Sequence, residues 1–194
     1  TQEMTTAFLG GGTPSLLPAA QMTRLLRGLA EGFPLQKGAE YTSECNPGTL
    51  TEAWLAAAQE AGVNRLSMGM QAAQPKLLQT LGRIHTFAEV EASVKLARWA
   101  GIRNLNLDLM FGLPGQTLAD WTETLEAALS LQPEHLSCYG LIPEEGTQIG
   151  DAVLSGALAL PEEAEERAMY DLTLRRLAQA GFVQYEISNF AKPG

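Results

Sequence analysis

Residues 104–117 are NLNLDLMFGLPGQT, a largely apolar segment that leads through a Gly-Leu-Pro-Gly turn to a threonine. This segment predicts a strand over residues 104–109, and Thr117 predicts the start of a helix that continues through Leu131. A strand followed by a turn and a helix recurs about five times along the chain, and one more strand follows. This alternation is typical of parallel strands joined by right-handed helical crossovers.

The other strands are predicted where short apolar runs end at glycine or polar residues, over residues 6–9, 40–45, 65–70, 135–141 and 184–187. Helices are expected in the segments between them, from Pro18, over 51–61, on either side of Gly82 and His85, and over 161–180. Residues 143–160 are expected to be irregular. Three tryptophans fall on the predicted helices and are expected to anchor their packing: Trp54, Trp99 and Trp121.

The length limits the architecture. A closed barrel of eight strand–helix pairs needs about 250 residues, and this chain has 194. A chain of this length suits one domain with a substantial core. We therefore predict a single α/β domain that is either a partial parallel barrel or an open wound sheet.

The composition argues against several classes of function. The formal net charge is −9 and no cluster of Lys and Arg occurs, so we expect no nucleic-acid partner. No apolar run reaches ~20 residues, which predicts no membrane span. We expect a cytoplasmic location, with membrane association only through partners. The two cysteines, Cys45 and Cys138, are too few for a disulfide scaffold, and we expect both to be buried.

Glycines and polar residues stand at the predicted carboxyl ends of the strands, where α/β folds bind their ligands. The first strand ends in a glycine triplet, and the later strand ends provide Glu44, Gln71, Asp108 and, in a loop, Arg83. Carboxylates accept hydrogen bonds from hydroxyls and amines, and the Arg fork binds a carboxylate. A ligand with a ribose, an ammonium and a carboxylate, such as S-adenosylmethionine (SAM), would use all of them. The residues alone leave a structural role for each carboxylate equally open.

Four motifs, in order and with matching separations, resemble those of radical SAM proteins related to oxygen-independent coproporphyrinogen III oxidase: FLGGGTPS at 8–15, NRLSMGMQ at 64–71, LGRIH at 81–85 and NLDLMFGLPGQT at 106–117. The resemblance covers nearly the whole chain. It implies an α/β fold that is a partial parallel (β/α) barrel of the radical SAM type, lacking its first strand. Residues 1–194 would then form an incomplete radical SAM core domain, without its N-terminal cluster segment and C-terminal region.

The resemblance also implies a role for individual residues. Gly11, Gly12 and Thr13 match the loop that holds the methionine end of SAM, and Glu44 matches a carboxylate that contacts SAM. Gln71 and Asp108 match residues that hold the ribose, and Arg83 matches the residue that binds the methionine carboxylate. Ile142 matches a residue whose backbone contacts SAM near the adenine.

SAM and a [4Fe–4S] cluster are the cofactors that the resemblance implies for the full-length protein. The family binds this cluster through three cysteines, usually spaced C-x-x-x-C-x-x-C, before the glycine motif. Cys45 and Cys138 stand far apart and cannot supply that pattern. We therefore expect the chain as given not to cleave SAM, and we assign it no catalytic and no metal-binding residue.

Three functions compete. The motifs ECNPGTL at 44–50, LGRIH at 81–85 and YEISNFAKPG at 185–194 resemble the HemW-type haem chaperone branch more closely. The favoured prediction is therefore the SAM-binding core of a haem chaperone, with haem as ligand and haem-accepting proteins as partners. The first alternative is an oxygen-independent coproporphyrinogen III oxidase, which decarboxylates two propionates of a porphyrinogen. The second is a non-catalytic α/β module that binds a metabolite or a protein partner.

Overall fold

The computed structural model describes residues 4–193, in which helices alternate with strands. The strands are β1 (Met4–Leu9), β2 (Leu35–Cys45), β3 (Arg65–Gln71), β4 (Asn104–Phe111), β5 (His135–Gly140), β6 (Val183–Glu186) and β7 (Asn189–Ala191). The helices are α1 (Ala19–Gly32), α2 (Glu52–Glu60), α3 (Pro75–Thr80), α4 (Phe87–Trp99), α5 (Leu118–Ser130), α6 (Gln148–Leu154) and α7 (Glu163–Gln179). None of these helices is long and apolar enough to cross a membrane. The strands form one sheet in the order β1-β2-β3-β4-β5-β7-β6, which confirms the predicted α/β class.

Two compact units make up the described residues, the first comprising residues 4–69 and 88–106 and the second residues 70–87 and 107–193. In the first unit, β1 and β2 pair in parallel, and β2 pairs in parallel with β3. Phe8 lies opposite Thr42, and Glu44 lies opposite Ser67. Because parallel strands end at the same edge of a sheet, the turn after β1 lies close to the end of β2.

The end of the second unit differs from the single final strand predicted over residues 184–187. β6 and β7 form an antiparallel hairpin, and β7 pairs with β5. The Glu186 carboxylate accepts hydrogen bonds from the Ser188 N–H and the Asn189 side chain, and these bonds brace the turn between the two strands. The turn contains no glycine, so it lacks the signal by which a tight hairpin is usually predicted from sequence.

Residues 143–160, expected to be irregular, contain helix α6. Thr147 begins this helix, since its side-chain oxygen accepts a hydrogen bond from the Gly150 N–H at 3.0 Å. Gly150 is required there, because an added Cβ would lie 1.8 Å from the Glu144 carbonyl oxygen. The helix has 7 residues, which is too short for a repeating apolar face to be recognised in the sequence.

Two of the three tryptophans anchor packing as predicted. Trp54 on α2 and Trp121 on α5 are buried. Trp99, the last residue of α4, is 73% exposed, so the prediction that it anchors packing is wrong. The buried face of α4 contains Val90 and Val94, and Trp99 falls outside that stripe.

An ion pair joins α5 to α7 in the second unit. The Arg176 fork donates two hydrogen bonds to the Glu126 carboxylate, with Nη2 and Oε2 2.8 Å apart. The hydrogen bond from Arg176, together with its charge, lowers the pKa of Glu126. A carboxyl whose pKa is lowered by folding stabilises the fold above its ordinary pKa, and this contribution is lost as the pH falls through the lowered pKa.

The substitution Glu126→Gln should therefore destabilise the full-length protein at neutral pH by about 0.5 kcal/mol, because both partners are partly exposed. The difference between variant and parent should vanish once the pH is low enough to protonate Glu126. Urea unfolding of both proteins at neutral and acidic pH measures this. A deficit of the same size at both pH values would show that the ion pair is not its cause.

Candidate functional site

The turn that follows β1 in the first unit is built from glycines for two separate reasons. Gly11 and Gly12 have φ values of +86° and +60°, in the left-handed region that favours glycine. Gly10 lies beneath the Glu44 side chain, and a Cβ there would come within 2.9 Å of its Oε2 atom. The Gly11 N–H donates a hydrogen bond to the same Oε2 at 3.1 Å. The glycine turn and Glu44 therefore form one structural unit.

Residues just after the glycine turn tie it to the end of β2. The Asn46 side-chain amide donates to the Thr13 hydroxyl at 3.0 Å, and the Asn46 N–H donates to the Ser15 hydroxyl at 3.2 Å. Trp54 adds a hydrogen bond from its indole N–H to the Pro14 carbonyl. These contacts fix the position of Thr13 relative to Glu44. Asn46 stands at a strand end, where α/β folds bind their ligands, yet its contacts give it a role in holding the loop.

Gly12→Ala should destabilise the full-length protein by about 1–2 kcal/mol, because the left-handed backbone is unfavourable for a residue with a Cβ. No atom lies within 4 Å of the added methyl group, so the cost comes from the backbone alone. The matched control is Gly28→Ala in the middle of α1, where the added methyl group also meets nothing within 4 Å. Alanine is the better helix former, so that variant should be stabilised by about 0.5–1 kcal/mol. Urea unfolding giving the two variants equal stability would contradict the assigned backbone conformation.

In the second unit, Gln71 stands at the end of β3 in an unusual conformation. Its φ is +65°, rare for a residue other than glycine, and its side chain is only 3% exposed. Such backbone strain persists only where the surroundings impose it, and it clusters at ligand-binding sites. The Tyr139 hydroxyl donates a hydrogen bond to the Gln71 Oε1 atom at 3.4 Å. Gln71 thus carries a buried amide at the end of a strand.

Tyr139 joins Gln71 to two charged residues. Burial, followed by the negative charge of Asp108, raises the pKa of Tyr139 to about 12, while the hydrogen bond to Gln71 and the positive charge of Arg83 oppose the increase. The structure therefore groups Gln71, Asp108 and Arg83, all predicted as site residues, around Tyr139. We call these four residues the Tyr139 cluster.

The loop after α3 positions Arg83 through a helix-ending motif. Gly82 adopts the left-handed conformation with φ of +66°, its N–H donates to the Gln79 carbonyl, and the Arg83 N–H donates to the Leu78 carbonyl. This is the Schellman pattern, in which glycine follows the last helical turn. Among the residues that the structure describes, the half-buried Arg83 guanidinium makes no hydrogen bond and no salt bridge. It is available to bind an anionic group of a ligand.

The predicted site residues thus fall into two groups, each within one unit. Gly11, Gly12, Thr13 and Glu44 form the first, and Gln71, Arg83 and Asp108 belong to the second. Ile142, in the second unit, follows β5 and its side chain is 80% exposed, which leaves the predicted backbone contact as an expectation. Tyr139 was not among the predicted site residues. Its position on β5 was the available signal, and only its contacts show its place in the cluster.

The residues that the structure describes do not fit an iron–sulfur cluster. No group of three or more His, Cys, Asp or Glu side chains among them could hold a metal ion. Cys45 and Cys138 are both buried, as predicted. Burial, followed by the negative charge of Asp108, raises the pKa of the Cys138 thiol, which disfavours the thiolate that metals require.

A family model described as the radical SAM superfamily matches residues 3–128. The chain therefore belongs to the radical SAM superfamily, whose cofactors are SAM and a [4Fe–4S] cluster. It is 42% identical over 193 residues to the heme chaperone HemW of Bacillus subtilis, covering 99% of this chain and 51% of that protein. The HemW of Escherichia coli is also 42% identical over 193 residues, with 100% of this chain and 50% of that protein covered. The chain spans about half the length of these curated relatives.

Among solved structures, the chain is similar to coproporphyrinogen III oxidase (HemN) from Escherichia coli, a radical SAM enzyme. The TM-score is 0.87 at 29% sequence identity, and the match covers 99% of this chain and 44% of that one. Methylornithine synthase (PylB) shares the fold alone, with a TM-score of 0.67 at 15% identity over 88% of this chain and 46% of that one. These findings confirm the partial parallel (β/α) barrel of the radical SAM type. The resemblance to the coproporphyrinogen oxidase-like family, with its HemW-type branch favoured, is likewise confirmed.

Proposed function

We propose that this chain is the SAM-binding core of a cytoplasmic haem chaperone that delivers haem to haem proteins. The observation that carries the proposal is the 42% identity to a heme chaperone over 99% of this chain. The similar coproporphyrinogen III oxidase structure has 29% identity over the same share of the chain. Since the chain spans about half of each relative, the activity belongs to the full-length protein.

The two groups of site residues bind different parts of SAM in this proposal. In the first unit, Gly11, Gly12 and Thr13 hold the methionine end. Glu44 contacts SAM while it also accepts a hydrogen bond from the Gly11 N–H. A turn without side chains lets backbone groups approach such a ligand closely. The methionine ammonium donates hydrogen bonds, and a carboxylate accepts them readily.

In the second unit, Arg83 binds the methionine carboxylate, while Gln71 and Asp108 hold the ribose. The Arg83 guanidinium has no hydrogen-bonding partner among the described residues, and this supports its role, because a fork of N–H donors matches a carboxylate. Asp108 can only accept hydrogen bonds when ionised, and a ribose hydroxyl can donate one. Ile142 contacts the adenine through its backbone.

Haem titration of the full-length, cluster-loaded protein tests the function. The proposal expects saturable haem binding at a fixed stoichiometry, transfer of that haem to an apo haem protein, and no turnover of coproporphyrinogen III. The control is the same titration with protein unfolded in guanidinium, which separates a specific site from adsorption to apolar surface.

Two outcomes would favour the alternatives. Conversion of coproporphyrinogen III with consumption of SAM would identify the decarboxylating enzyme, which the similarity to the HemN structure supports. Absence of both SAM binding and haem binding would leave a non-catalytic α/β module that binds another metabolite or a protein.

A further inference from the structure

Tyr185 on β6, in the second unit, combines an exposed ring with a hydroxyl that is held by a buried imidazole. The residue is 65% exposed, and its hydroxyl oxygen lies 2.7 Å from Nε2 of His135, which is only 8% exposed. The two rings meet edge to face, with their centroids 5.6 Å apart. Water alone can satisfy the hydroxyl of an exposed tyrosine, so the bond to a buried histidine gives this hydroxyl a fixed position that its exposure does not require.

A β-bulge sets the direction of the Tyr185 side chain. Gln184 lies opposite Phe190, and Glu186 lies opposite Asn189. The step of two residues on β6 thus matches a step of one residue on β7, and Tyr185 is the extra residue. A bulge bends its strand and changes the direction of a side chain, and bulges are common beside functional sites.

The strand between Tyr185 and His135 leaves room for their contact. Ala191 of β7 lies opposite His135 on one side and opposite Val183 on the other. Its side chain is a single methyl group, so the tyrosine ring can reach across β7 to the imidazole on β5. Three strands together therefore hold the hydroxyl beside Nε2.

An exposed phenol beside an imidazole is suited to bind the iron of ferric haem. Tyrosine is one of the side chains that ligate haem iron, and one protein ligand is enough because the porphyrin supplies four nitrogens. As the oxygen–iron bond forms, the phenol proton passes to Nε2 of His135 if that atom is unprotonated, and to water if it already carries a proton. Either route leaves a phenolate oxygen that accepts a hydrogen bond from Nε2–H.

The other side chains that could ligate haem iron are less accessible. Both histidines and both cysteines of the sequence are buried. Nε2 of His85 lies 3.2 Å from the Met70 carbonyl oxygen, and burial raises the pKa of the Cys138 thiol. Tyr185 is also the most exposed of the four tyrosines. An incoming haem therefore meets the Tyr185 phenol before any of these groups.

We propose that Tyr185 is the axial ligand through which the full-length protein binds ferric haem, and that His135 is a positioning residue that stabilises the bound phenolate. Val183, two residues away and 58% exposed, adds apolar surface for the porphyrin ring on the same strand. The inference rests on the proposed function, in which haem is the cargo.

Haem titration of the full-length protein, followed by visible absorption and resonance Raman spectroscopy, tests this ligand. The parent should show the charge-transfer band and the iron–oxygen vibration of a ferric tyrosinate complex, and Tyr185→Phe should lose both. His135→Leu should weaken ferric haem binding by about tenfold to a hundredfold, the usual effect of losing a partner that orients a metal ligand, and Tyr185→Phe should weaken it at least as much. His135→Gln keeps an N–H donor, so it should retain the tyrosinate signals and recover part of the affinity.

The matched control is Tyr170→Phe on α7. The Tyr170 hydroxyl donates to the Ile187 carbonyl and accepts from the Gln184 amide, so it braces the same hairpin without contacting His135. This variant should keep both the spectrum and the haem affinity of the parent. Equal spectral changes in Tyr170→Phe and Tyr185→Phe would overturn the inference, because a general disturbance of the hairpin would then explain both.

Three further results separate the possible failures. Tyrosinate signals that persist in Tyr185→Phe would overturn the inference, as would a parent that binds haem without those signals. Loss of haem from His135→Leu combined with unchanged binding by Tyr185→Phe would identify the imidazole as the ligand instead. A parent protein that binds no haem at all would overturn the proposed function.

Discussion

Replacing Arg83 with alanine should weaken SAM binding to the full-length, cluster-loaded protein by about tenfold to a hundredfold. A hydrogen bond to a charged group contributes about 1.5–3 kcal/mol, and Arg83 offers a charged fork to the methionine carboxylate. The Arg83 guanidinium has no hydrogen-bonding partner among the described residues, so its loss removes no internal bond of the fold. The expected change is therefore in binding rather than in stability, and calorimetry with SAM measures it.

The matched control is Arg27→Ala on α1. Arg27 is exposed and pairs with Glu60 of α2 at 3.6 Å. Exposed pairs of this kind contribute about 0.2–1 kcal/mol to stability, and Arg27 has no proposed contact with SAM. An Arg83→Ala protein that binds SAM as tightly as its parent would remove Arg83 from the site.

Trp121→Ala should give the largest loss of stability, about 3–5 kcal/mol, as expected when a buried large aromatic side chain is truncated. Trp121 is 0% exposed, and its indole N–H donates to the Met169 carbonyl at 3.1 Å and to the Thr173 hydroxyl at 2.9 Å. Its ring also packs against Phe111, with the ring centroids 5.5 Å apart. The substitution thus leaves a cavity and removes hydrogen bonds between α5 and α7.

The control is Trp99→Ala, which removes the same side chain from a position that is 73% exposed. That variant should stay within about 0.5 kcal/mol of its parent, the usual range for surface substitutions. Urea unfolding followed by far-ultraviolet circular dichroism measures both variants without relying on tryptophan fluorescence. Equal losses for the two variants would contradict the burial that the structure assigns to them.

The regular part of the fold could be predicted from the sequence because its signals are local. Apolar runs marked the parallel strands, and Thr51 and Thr117, which begin α2 and α5, follow the ordinary rules of helix capping. The hairpin of β6 and β7 depends on the Glu186 side chain instead of a turn glycine, and α6 is too short to show a period. The prediction that Trp99 anchors packing was wrong because hydrophobic periodicity predicts the buried face of a helix only approximately near the helix end.

The candidate site was predictable in its residue types but not in its internal contacts. The positions of Glu44, Gln71 and Asp108 at predicted strand ends indicated a ligand-binding site, and the resemblance to a known family implied the role of each residue. The bond from Gly11 to Glu44 joins residues 33 positions apart in the sequence, and that from Tyr139 to Gln71 joins residues 68 apart. No local pattern encodes such pairs, because they arise only when strands distant in sequence end beside one another.

An experimental structure of the full-length, cluster-loaded protein with SAM bound tests the proposed site most directly. We expect the methionine end against Gly11, Gly12 and Thr13, its carboxylate on Arg83, and the ribose hydroxyls on Gln71 and Asp108. Well-ordered SAM that touches neither the glycine turn nor the Tyr139 cluster would contradict the site proposed for this chain.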